Sequence, residues 1–268
     1  MMRAVLAAAL GAVLMLGCSL DPFGFLASSD VDERFNDGLS LPAPTNLSLT
    51  PPYSFVVIAD THVHDAESAA RVASLSLKLI AADEFVLAAG DLVQNGLRSD
   101  VILFTNAMRE ATAALGIPWF AVPGNHDLYF GGWTNFREHI GRSIYSFSAG
   151  ALRVIAMDSA NGTLGKKQYD WLSQTLASRS EAHCIVFTHF QFFSPAITET
   201  QQYTDIEEAA YLMYLFETRS VSYVLSGHSH ADVHHMINGV SYLTVANHPA
   251  SIVRMTVTAT NMTHVVLH

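Results

Sequence analysis

Five short blocks of this chain carry carboxylate, amide and imidazole side chains at close spacing: Asp60-Thr61-His62, Gly90-Asp91, Gly124-Asn125-His126-Asp127, His189, and Gly227-His228-Ser229-His230. Oxygen and imidazole donors with no thiolate among them suit first-row divalent ions such as Mn, Fe, Zn, Co or Ni. Seven of these residues could ligate (Asp60, His62, Asp91, Asn125, His189, His228 and His230), more than one such ion needs. Two ions sharing Asp91 would use them all. Ions about 3.5–4 Å apart can clamp a phosphoryl group and activate a water near neutral pH. Taken alone, Gly124–Asp127 after Pro123 is also an ordinary polar turn, because Pro, Gly and Asn are turn formers. The recurrence of the same residue kinds in four other blocks separates the two readings.

Each block follows an apolar run that reads as a buried strand: residues 53–59, 85–89, 117–122, 183–188 and 221–225. Neighbouring strands lie about 5 Å apart, so side chains at their ends can converge on one spot. Helical periodicity covers 65–82, 98–115, 165–178 and 204–218, and strand–helix alternation implies parallel pairing with right-handed crossovers. Antiparallel pairs are expected between 144–147 and 152–157, between 233–237 and 240–245 around Asn238-Gly239, and between 252–257 and 264–267. The fold class expected is α/β, a two-sheet mixed β-sandwich flanked by helices.

Half of the chain is hydrophobic, enough for a sizeable core, and the net charge of −10 argues against a nucleic-acid-binding surface. Two cysteines, Cys18 and Cys184, exclude a disulfide framework, and Cys184 lies in an apolar run as a core thiol. Residues 1–17 have the design of a signal peptide: Arg3, then an apolar run from Ala4 to Leu16 too short for a comfortable membrane span. Leu14-Met15-Leu16-Gly17-Cys18 resembles a bacterial lipobox, with Met15 where leucine is usual. That resemblance implies cleavage before Cys18, its lipidation, and a protein anchored by lipid in a bacterial cell envelope. Residues 18–52, rich in Pro, Ser, Asn and Asp, read as a lipid-attached tether with room for a short helix or an added strand, and 53–268 as the globular domain.

The five blocks, in order, resemble those of the calcineurin-like metallophosphoesterases: D-x-H, G-D, G-N-H-[DE], a lone H, and G-H-x-H. The resemblance covers residue 53 to the C-terminus. It implies two divalent ions, with Mn, Fe or Zn foremost, one held by Asp60, His62 and His230 and the other by Asn125, His189 and His228, with Asp91 between them. It also implies that a metal-held hydroxide attacks the phosphorus of a small phosphoester while His126 protonates the leaving oxygen. Asp127 would orient that imidazole and favour its charged form. Purple acid phosphatases of this superfamily carry an iron-binding tyrosine three positions after the shared aspartate; Gln94 stands there, so no ferric-tyrosinate centre is expected. Monoesters, diesters and cyclic nucleotides remain open as substrates, as does a non-catalytic surface lipoprotein that binds metal or a partner.

Other residues are weighed beside these. His64 reads as a rim or surface residue, and alternation lets at most one of His234 and His235 approach the site. His248 could contact substrate or serve its loop, whereas His139, His183, His264 and His268 read as surface or satisfied core positions. Phe190, Phe192 and Phe193 are either a loop anchor or a wall for the leaving group, and Tyr129–Trp133 is a second candidate wall or lid.

Overall fold

The computed structural model describes residues 29–193 and 203–268; the signal peptide expected over residues 1–17 and Cys18 lie outside them. Strands β1 (Tyr53–Ile58), β2 (Asp83–Ala89) and β3 (Trp119–Val122) pair in parallel, and β10 (Ile252–Val257) and β11 (Met262–Leu267) extend the sheet antiparallel beyond β1, giving the order β11-β10-β1-β2-β3. The second sheet runs β4-β5-β6-β7-β9-β8, from β4 (Tyr145–Ala149), β5 (Leu152–Ala156), β6 (His183–Phe187), β7 (Tyr223–Ser226), β8 (Val233–Ile237) and β9 (Val240–Thr244). Its four central strands are parallel and its outer pairs, β4–β5 and β8–β9, antiparallel. This is the expected two-sheet mixed sandwich.

Alternation along the strands builds the layers. Phe55, Val57, Phe85, Leu87, Phe147, Val154, Phe187 and Leu225 point between the sheets and form the central core. Their neighbours Val56, Ile58, Val86 and Ala88 point outward beneath α2 (Ala66–Ala73) and α3 (Arg98–Ala113). Ile155, Cys184, Val186 and Val224 do the same beneath α6 (Gly165–Ser178) and α7 (Ile206–Thr218). The central strands are therefore apolar on both faces, which is why they read as continuous hydrophobic runs. The helix expected over 65–82 tightens into a 3₁₀ turn at Ser74–Leu77, where Ser74 and Ser76 hydroxyls donate back to the carbonyls of Arg71 and Ala73.

The expected tether departs from that reading over its described part. Asp30 caps α1 (Val31–Leu39) by accepting the Glu33 amide at 2.7 Å, and α1 packs on α6. Arg34, fully buried, donates Nε and Nη2 to Asp158 at 2.7 and 2.8 Å. Asp37 accepts from Trp133 and Arg137 of α5 (Trp133–His139), and Leu47 bridges to Ala149 beside β4. Described residues between 29 and 52 thus pack on the sandwich through α1, the Arg34–Asp158 pair and the Leu47 bridge. Among the described residues, no helix is long and apolar enough to cross a membrane.

Candidate metal centre

Parallel pairing within each sheet puts the ends of β1, β2 and β3, and of β6 and β7, on a common edge, and the five blocks begin there. All seven expected ligands converge. His62 Nε2 and His230 Nε2 face each other at 3.1 Å, with Asp60 Oδ1 3.5 Å from the latter. On the other side His189 Nε2 lies 3.1 Å from His228 Nδ1 and 3.2 Å from Asn125 Oδ1. Asp91 Oδ2 stands between the two groups, 3.8 Å from His62 Nε2 and 3.4 Å from His189 Nε2.

The donor set fits a pair of divalent cations. Asp60 Oδ1 is buried with no hydrogen-bond donor, a cost that a cation beside it would remove. Nitrogens that face each other at 3.1 Å are positioned to share one ion. His189 turns Nδ1 to the Ala89 carbonyl at 3.0 Å, which leaves Nε2 as the ligating atom.

Electrostatics points the same way. Burial pushes the Asp91 carboxyl up, but the surrounding His189, His126 and His62 overcome it and hold the group well below the usual carboxylate range. Burial lowers the proton affinity of His189, and Asp91 more than restores it. In His62 burial wins over Asp91 and Asp60, and its proton affinity falls. A buried anion ringed by imidazoles is a place where positive charge is stabilised.

Backbone conformation marks the same residues. Asp60, His62, Asp91, His228 and His230 have φ of 52°, 44°, 49°, 74° and 54°, a region that side-chain-bearing residues seldom enter. Such strain costs roughly 1–3 kcal/mol per residue and gathers where function requires a set geometry.

Glycines provide the close approaches. Gly90, at φ +84°, passes so near the His189 ring that a Cβ would meet it at 2.6 Å. Gly124 has an ordinary φ of −102°, so there the need is for space: a Cβ would collide with the Asp91 carboxylate and amide. Gly124→Ala is expected to displace Asp91 and weaken metal binding by about 10–100-fold, the range for disturbed support of a ligand. Metal titration by calorimetry checks this, with circular dichroism confirming that the variant is folded.

His126 lies at the rim with Nε2 4.0 Å from Asp91 Oδ2, and its Nδ1 is 2.7 Å from the Gln94 carbonyl. Asp127 does not orient it, contrary to expectation. Its carboxylate accepts the amides of Val93 and Gly124 at 2.9 and 2.8 Å. Residues 125–128 form a helical turn, α4 (Asn125–Leu128), and at its third position Asp127 reaches back to the preceding amide as a capping residue does. The imidazole is held instead by Gln94, through its backbone oxygen.

Phe190 is fully buried against His189 and His228, ring centroids 5.4 and 4.3 Å away, so it anchors the ligand loop. Phe192 joins Tyr203, Phe216 and Tyr242 on the outer side of β9. Trp133 is buried, which removes it as a wall, whereas Phe130 is 71% exposed at φ 55°. His64 turns back to the His62 carbonyl, and His248 to the Arg71 carbonyl of α2. His234 contacts His264 and His235 contacts Phe193, and His183 meets the Thr258 carbonyl.

Sequence reasoning gave no ligand-supporting role to Tyr129, whose hydroxyl accepts Asn125 Nδ2 at 2.7 Å while its ring tilts against His126. It also missed Ser159, whose Oγ accepts from Thr188 Oγ1 and the Phe190 amide, bracketing His189. The four-residue spacing from Asn125 to Tyr129 is a signal only if that stretch is helical.

The calcineurin-like phosphoesterase family model matches residues 53–232, and the chain belongs to that family. By class it is a metal-dependent phosphoesterase. Comparison with curated protein sequences gives no match. Among solved structures it is similar to the purple acid phosphatase PPD1 from yellow lupin (Lupinus luteus) seeds, at 16% identity and TM-score 0.70 over 82% of this chain and 52% of that one. The chain thus spans about half the length of the lupin protein. A dimetal phosphatase from Danio rerio is similar at 14% identity and TM-score 0.65, over 81% of this chain and 96% of that one. So is GAP50, the anchor in the inner membrane complex of Plasmodium, at 14% identity and TM-score 0.61 over 81% and 84%. At these identities the likeness is one of fold.

Proposed function

We propose that the protein hydrolyses a small phosphoester at a two-metal centre. The observation that carries this reading is the Asp91 carboxylate shared between Asp60, His62 and His230 on one side and Asn125, His189 and His228 on the other. Two divalent ions held there, Mn, Fe or Zn by donor type, would supply Lewis acidity toward phosphoryl oxygens and lower the pKa of a water. His126 contributes the proton. With Nδ1 committed to the Gln94 carbonyl, Nε2 is the atom free to give a proton to the leaving oxygen. Asp127 serves by fixing the turn that carries His126, through Gly124 and Val93. The net charge of −10 favours a small substrate over nucleic acid.

His126→Ala is expected to keep two ions per chain while kcat falls about 10²–10⁴-fold, the usual contribution of a general acid. The assay uses added Mn²⁺ with p-nitrophenyl phosphate, bis-p-nitrophenyl phosphate and cyclic AMP, and ranks monoester, diester and cyclic-nucleotide activity. Hydrolysis of none of them by protein loaded with two ions would favour a binding role instead.

The apolar run from Ala4 to Leu16 ahead of Gly17-Cys18 supports export and lipid attachment at Cys18, in a bacterial cell envelope. The intact mass of the protein from a membrane fraction tests this. Cleavage before Cys18 with added acyl mass supports lipidation, and an unmodified Cys18 or another N-terminus overturns it.

A further inference from the structure

We infer that the Tyr129 hydroxyl is a positioning group for the second metal, holding the Asn125 amide so that its oxygen, not its nitrogen, faces the ion. This rests on the two-metal reading and assigns a role to a residue outside the ligand set.

A primary amide is nearly symmetric in shape, and only its hydrogen-bond partners decide which end points where. Asn125 Oδ1 is 3.2 Å from His189 Nε2, in the space that His228 Nδ1 also faces. If the amide turned over, Nδ2 would present its hydrogens to the ion and remove one oxygen ligand. The nitrogen end therefore needs a fixed acceptor. Tyr129 supplies it: Nδ2 donates to the hydroxyl at 2.7 Å. Asn125 is buried, so bulk solvent does not reach the nitrogen end.

Local backbone accounts for the pairing. α4 places residue 129 one turn beyond residue 125, so the Tyr129 side chain lies over the Asn125 amide. The Tyr129 ring also tilts against His126 with centroids 4.7 Å apart. One side chain thereby touches a metal ligand through its hydroxyl and the proton donor through its ring. The hydroxyl and ring contributions separate experimentally, because Tyr129→Phe removes only the first.

Stepwise Mn²⁺ binding is measured by isothermal titration calorimetry and by metal content after gel filtration, for the wild type and for Tyr129→Phe. The expected result is about a 10-fold weaker second ion in the variant, with the first ion unchanged, as found when a group supporting a ligand is removed. Excess Mn²⁺ should then restore most of kcat. Equal second-ion affinity in the two proteins overturns the assignment of Tyr129 and leaves the two-metal reading intact. A wild type that binds fewer than two ions overturns both. Tyr129→Ala serves as a second variant; if it weakens the second ion while Tyr129→Phe does not, the ring and not the hydroxyl is responsible, and the inference fails.

Discussion

Asp91→Asn is expected to lower kcat by about 10³-fold or more and to leave fewer than two tightly held ions per chain. The magnitude follows from the several kcal/mol that a metal pair supplies to a phosphoryl transition state, each 1.4 kcal/mol being tenfold. Among the described residues, Asp91 is the one whose carboxylate stands between both imidazole groups. Its neutral isostere keeps the volume and keeps an oxygen able to accept the His126 amide, now bonded to Oδ1 at 2.9 Å. The turn that carries Asn125 and His126 should therefore survive, and the loss should be electrostatic. Elemental analysis and steady-state kinetics at rising Mn²⁺ check this. A variant that keeps two ions and more than a tenth of wild-type kcat would show that Asp91 is not shared between them.

The second large effect is on stability. Arg34→Ala should destabilise the fold by about 3–5 kcal/mol, because breaking a fully buried ion pair strands its partner charge. Arg34 and Asp158 are both completely inaccessible, and two parallel bonds join them. At this chain length the melting temperature should drop by about 10 °C or more. Arg34→Met combined with Asp158→Leu should recover most of the loss, since apolar replacement of both partners is near neutral. An Arg34→Ala variant that melts within 2 °C of wild type would contradict this. Asp158 adjoins Ser159, which brackets His189 through Thr188 and Phe190. The single Arg34 variant should for that reason also bind metal less tightly than the double one.

Much of this was legible in the sequence because it rests on periodicity and on side-chain chemistry. Strands such as Tyr53–Ile58 and His183–Phe187 are buried on both faces, so each shows as a mostly apolar run, and the ligands Asp60 and His189 stand two residues past their ends. The donor types indicated first-row divalent ions, and the number of donors, seven, indicated two of them. What stayed hidden depends on direction rather than type. Asp127 sits next to His126 in sequence, yet its carboxylate turns to Val93 and Gly124, because a helical turn sends adjacent side chains apart. Arg34 lies in the stretch read as a tether, and its partner is 124 residues away. Tyr129 was noticed only as an aromatic, since its pairing with Asn125 appears once residues 125–128 are helical.

The matched stretch, residues 53–232, is shorter than the unit that holds the ligands in place. β10 is bonded along β1, which ends at Ile58 two residues before Asp60, and lies beyond that stretch on the C-terminal side. Arg34, which neutralises Asp158, lies outside it at the other end. A fragment trimmed to 53–232 would leave the β1 edge unpaired, open to self-association, and a buried carboxylate without its counter-charge. Transplanting the metal cradle into another scaffold, or grafting a relative's loops onto this one, would have to carry both flanks along: the smallest portable piece of this enzyme is close to the whole described chain.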